Sequence, residues 1–145
     1  MIEQVLNRRN IMRAYRQVVS NKGSAGVDGI SVKELYDHLT QNREQIESDI
    51  RKGTYLPQPI KGVEIPKSNG KTRLLGVPTV TDRMLQQAVA QVLAAKLEME
   101  FEDYSYGFRP NKNAQKAVLK AQEHINSGYQ HIVDIDLKSF FDEVD

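Results

Sequence analysis

The stretch YLPQPIKGVEIPKSNGKTRLLGVPT, residues 55–79, carries four prolines, three glycines and several β-branched residues, a composition unlike that of its surroundings. It reads as strand, turn, strand. Asn69-Gly70 at the tip supplies the positive backbone angles that a tight hairpin turn needs. Lys67 and Lys71 flank that tip, and Arg73 follows. These cations fit a charged edge that discourages strand-to-strand aggregation. They fit equally a mobile clamp for a triphosphate, since Arg offers paired donors and Lys a point charge to phosphate oxygens.

Outward from this ribbon the pattern is helical. Val5, Leu6, Ile11, Met12, Tyr15, Val18 and Val19 recur at helical intervals, which predicts an amphipathic helix ending near Asn21. NKGSAGVDGIS, residues 21–31, is a polar loop with three glycines. Ser31 and Glu34 form a capping box that predicts a helix over 32–40, with another short helix over 43–52 ending at Gly53. After the hairpin, Thr81 is the expected cap of a long helix with Met84, Leu85, Ala88, Val89, Val92, Leu93 and Leu97 on a core stripe. DYSYGFRPNKN, residues 103–113, is a second loop, within which SYGFRP (105–110) reads either as a turn with two buried aromatics and one exposed guanidinium or as an arginine held rigidly against a nucleic-acid backbone. A helix follows over 114–126. The expected class is α+β.

The chain has 145 residues, 39% hydrophobic and 27% charged, a length that fits one ordinary domain. It has no cysteine, and its amino terminus lacks the apolar core of a signal peptide, so a soluble cytoplasmic protein with no membrane partner is expected. The net charge of +1 conceals segregation. Arg8, Arg9, Arg13, Arg16 and Lys22 stand against Glu3 alone in the first 22 residues. Arg109, Lys112, Lys116 and Lys120 occur between 104 and 122 without an acid. Such patches suit a polyanion; they also suit solvated helix faces.

The closing segment, HIVDIDLKSFFDEVD (131–145), alternates Val133, Ile135 and Leu137 with Asp134, Asp136 and Lys138, the period of a strand with one polar face. Asp136 sits where that strand runs out. A carboxylate so placed either faces water, as a lone pair of aspartates commonly does, or suits phosphoryl transfer, because Mg²⁺ takes one or two carboxylates plus substrate phosphate oxygens.

Taken together, GSAGVDGIS (23–31), IPKSNGKTRLLGVPTVTDRMLQQAV (65–89), SYGFRPNKNAQKA (105–117) and VDIDLKSFFDEVD (133–145) closely resemble the amino-terminal half of a group II intron reverse transcriptase. That is the intron-encoded maturase family, with its retron-type relatives. The resemblance runs from about Gly23 to Asp145, in the family's motif order.

The resemblance implies a fingers region over 1–128 and a first palm strand over 129–145, with the palm incomplete. It makes Asp136 the catalytic metal ligand for Mg²⁺, or Mn²⁺ in its place, assisted by the Leu137 carbonyl. Phe141 becomes the steric gate beneath the sugar. Lys67 and Arg73 would hold the dNTP triphosphate. Gly26, Asp28 and Gly29 would form a lid over the RNA template, while Arg109, Asn111 and Lys112 would touch template or DNA primer. The Tyr-Ala-Asp-Asp motif is absent, so the chain is expected to be a truncated piece that is inactive alone. Two further readings stand beside the polymerase: an RNA-binding maturase that serves intron RNA, and a defence-associated polymerase relative. The closing strand, unpaired, is expected to form a homodimer through Ile132–Leu137.

Overall fold

The computed structural model describes residues 1–66, 68 and 70–137, and resolves them into two compact units, Met1–Met99 and Glu100–Asp145. In the first unit, helix α1 (Ile2–Val5) is followed by α2 (Arg8–Ser20), α3 (Leu35–Lys52), strands β1 (Lys61–Pro66) and β2 (Thr72–Val77), and α4 (Val80–Leu97). A 3₁₀ turn covers Glu98–Glu100, and α5 (Ala114–Asn126) belongs to the second unit.

The helix expected at the amino terminus is two. Asn7 accepts a hydrogen bond from the Arg9 amide and caps α2, which breaks the run after Leu6. Asn10 then ties the pieces together: its amide donates to the carbonyls of Val5 and Ala88, and Gln91 donates to its side-chain oxygen. The two helices expected over 32–52 are one. The Ser31 amide and hydroxyl both donate to Glu34, holding that carboxyl below its usual range, but this box closes a turn one step ahead of α3. Nothing between 40 and 43 breaks a helix. Gly53, at φ +70°, ends it as expected.

The core of the first unit lies where α2 and α4 cross. Ala14 and Ala88 are fully buried and let the backbones approach, with Val18, Leu35, Val80 and Met84 filling the space around them. Burying Leu35 or Met84 contributes about 1.5–3 kcal/mol each. The stripe on α4 reaches full burial only over its first half; Val92 packs against the core half-buried, and Val89 and Leu97 are exposed.

The hairpin forms as expected. β1 and β2 pair antiparallel from Lys61 opposite Val77 to Pro66 opposite Thr72, with Gly70 at φ +77° in the turn. Its strands are exposed along their length except at Ile65 and Val77, which are half-buried. Leu74 lies over Gly62, and Ile60 over Gly76, so the ribbon packs chiefly on itself.

Two expectations for the second unit are corrected. Residues 131–137 belong to no helix or strand: among the described residues β1 and β2 are the only ladder, and a strand without a neighbour's hydrogen bonds is not one. The 103–113 loop does not bury two aromatics. Tyr106 is half-buried beneath the Lys112 ammonium, whereas Phe108, at φ +54°, is fully exposed. None of the described residues from 100 onward is fully buried.

Candidate nucleotide and nucleic-acid site

Arg73 stands on β2 opposite Ile65, exposed, and forms no ion pair among the described residues. Lys67 and Phe141 lie outside the described residues, so the rest of the expected triphosphate clamp and the sugar gate are not located.

Beyond β2 the chain enters α4, and the first turn of that helix gathers several segments. Thr79, not Thr81, is the cap: its hydroxyl oxygen accepts from the Asp82 amide at 3.1 Å and donates to the Asp82 carboxylate at 2.6 Å. Thr81 lies inside the helix instead, buried, its hydroxyl unpartnered among the described residues. The same Asp82 carboxylate accepts from the Tyr55 hydroxyl at 2.7 Å and the Gln58 amide at 3.1 Å. Burial, then the bond to Asp82, pushes the Tyr55 phenol well above its ordinary value. Sequence reasoning missed this group. The signal was present, because Thr79-x-x-Asp82 ahead of an apolar run is a capping pattern.

The glycine loop docks on the same turn. A Cβ on Gly26 would stand 2.7 Å from the Thr79 Cα and 2.8 Å from its nitrogen, and Gly26 is buried. Its freedom from a side chain therefore serves close approach to the protein's own backbone. Asp28 accepts from the Ile30 amide and orders the turn, and Gly29 takes φ +73°. Arg83 donates to the Ser24 carbonyl at 2.5 Å, fastening the loop to α4.

The two basic surfaces differ in kind. On α2, Arg9, Arg13 and Arg16 are exposed and form no ion pair among the described residues. In the second unit the cations are engaged. Arg109 donates to the Glu102 and Ser105 carbonyls and stacks on Phe101; Lys112 donates to the Asp103 carbonyl; Lys116 donates to the Asn111 carbonyl. Asn111 itself adopts φ +59°, which asparagine tolerates. Lys120 pairs with Glu123, whose carboxyl is held below its usual range by that ammonium.

Asp136 and Leu137 are exposed. Among the described residues no three or more His, Asp or Glu side chains gather to hold a metal. A cavity of about 360 Å³ between α2 and α3, over Met84 and Leu85, contains none of the expected site residues.

The first unit thus carries a cation-bearing hairpin rooted on α4 and a glycine loop packed on that root. The chain belongs to the reverse transcriptase (RNA-dependent DNA polymerase) family, whose sequence model it matches over residues 65–145. It is of the group II intron type. It is 38% identical over 134 residues to the group II intron-encoded protein LtrA of Lactococcus lactis subsp. cremoris, covering 91% of this chain and 22% of that protein. It is 34% identical over 140 residues to protein YkfC of Escherichia coli K12, covering 92% and 37%. The putative COX1/OXI3 intron 2 protein of Saccharomyces cerevisiae is 26% identical over 143 residues, covering 94% and 16%. The chain thus spans between 16% and 37% of the length of these relatives. None of the helices among the described residues is long and apolar enough to cross a membrane.

Proposed function

We propose that the chain is the fingers region, with the start of the palm, of an RNA-directed DNA polymerase of the group II intron type. In this reading Lys67 and Arg73 hold the triphosphate of an incoming dNTP, and Arg73 offsets the charge that develops on the leaving pyrophosphate. Asp136 contributes one carboxylate to Mg²⁺, with the Leu137 carbonyl beside it, and Phe141 excludes a 2′-hydroxyl. Bound there, Mg²⁺ would supply Lewis-acid stabilisation of phosphoryl charge. Gly26, Asp28 and Gly29 shape the lid, and Arg109, Asn111 and Lys112 form a loop that meets template or primer backbone. The observation that carries the reading is Arg73, an exposed guanidinium with no carboxylate partner among the described residues, on a ribbon inside the matched family region. Titration of a fluorescent dNTP against the 145-residue chain tests it. Arg73→Ala weakens binding about tenfold or more; an unchanged affinity refutes the clamp.

RNA binding in support of splicing is a second reading, favoured by the α2 arginines. They suit a phosphate backbone read without regard to sequence. The segment Ile132–Leu137, whose Ile132, Val133, Ile135 and Leu137 are exposed, is where a second copy would pair. Light scattering on a chain cut before Gly128 gives a monomer if so, whereas an unchanged oligomer dismisses the dimer.

A further inference from the structure

The hairpin is exposed on both faces, so its attitude is set where it joins the helices. Three donors from both of its ends converge on one carboxylate that is 3% exposed. Tyr55 and Gln58 precede β1 and bond to Oδ1 and Oδ2 of Asp82, at 2.7 and 3.1 Å. Thr79 follows β2 and bonds to Oδ2 at 2.6 Å. No cation neutralises this carboxylate among the described residues; three hydrogen bonds and the amino-terminal end of α4 do. A simple helix cap needs only the bonds between Thr79 and Asp82. The reach to Tyr55 and Gln58, across 27 and 24 residues of sequence, gathers the incoming leg of the ribbon to the outgoing one.

We propose that Asp82 and Tyr55 are positioning residues that clamp both legs of the hairpin and thereby fix the direction in which Arg73 is presented to a nucleotide triphosphate. The proposal deepens the nucleotide-binding reading and rests on it. The clamp acts through Arg73 and touches no substrate. Tyr55→Phe removes one donor and keeps the ring, leaving the core between α2 and α4 intact.

Two readouts on the 145-residue chain test this. The first needs no nucleotide: amide hydrogen exchange at Gln58 and over residues 61–77, referenced to α2 and α4. Tyr55→Phe accelerates exchange at Gln58 and in the ribbon about three- to tenfold, with α2 and α4 unchanged. The second is a double-mutant cycle on dNTP affinity. Tyr55→Phe weakens binding about three- to tenfold with Arg73 present and has no further effect in the Arg73→Ala background. Equal losses in both backgrounds, or unaltered exchange in the ribbon, overturn the proposal. If Arg73→Ala alone leaves affinity unchanged, the nucleotide reading fails, and the exchange readout still decides whether the legs are clamped. Should Tyr55→Phe unfold the chain, Gln58→Pro at an exposed position removes a single backbone donor and serves the same cycle.

Discussion

Two glycines three residues apart illustrate how one letter of sequence answers different demands. Gly26 leaves room for the Pro78–Thr79 backbone, whereas Gly29 has open space around it and needs only its positive φ. Gly26→Ala therefore lowers stability by about 1–3 kcal/mol in urea titration, as overpacking does, and Gly29→Ala costs about 1 kcal/mol. Tyr55 gives a pH signature of definite sign. Its folded-state value lies above its unfolded one, so its contribution is complete below the unfolded tyrosine value of about 10 and is lost as pH rises beyond it. Unfolding measured across that range shows the wild type losing stability and Tyr55→Phe losing less. The role of Asp82 was only half legible beforehand: its spacing from Thr79 is a local pattern, but the bonds from Tyr55 and Gln58 depend on where a proline-rich strap folds back. Local spacing cannot report that.

At the scale of elements, short-range signals were readable wherever a local device ends or turns the chain. The Asn69-Gly70 hairpin, the Gly53 stop and the span 114–126 follow from turn and cap chemistry. The split between α1 and α2 turned on an asparagine cap at a position the hydrophobic period runs straight through. The closing segment failed as a strand for a different reason: alternation describes a face, while a ladder requires a partner. Charge runs were also indistinguishable in sequence, yet α2 leaves its arginines unpaired among the described residues, while in the 103–113 loop Arg109 and Lys112 bind the carbonyls of Ser105 and Asp103. Replacing Arg9, Arg13 and Arg16 with Gln should reduce the salt slope of single-stranded RNA binding by about 0.7 per arginine, read by filter binding across a salt series. Lys112→Ala should instead loosen the loop, seen as faster exchange of amides over 103–113, because the carbonyl of Asp103 and the ring of Tyr106 lose their shared cation.

The whole molecule divides into a first unit with a packed core and a second whose described residues are all at least partly exposed. Val118, Leu119 and Ile125 leave an apolar face on α5 uncovered, so amide protection in the 145-residue chain should concentrate in α2, α3 and α4 and be slight in α5. The family assignment rests on residues 65–145, and the chemistry proposed for it rests on Asp136. Metal-dependent primer extension on an RNA template, by the intact polypeptide that carries residues 1–145, tests that chemistry most directly. Asp136→Asn is expected to reduce extension on the order of a hundredfold or more while primer-template affinity stays unchanged. Extension at the wild-type rate by Asp136→Asn would contradict the account.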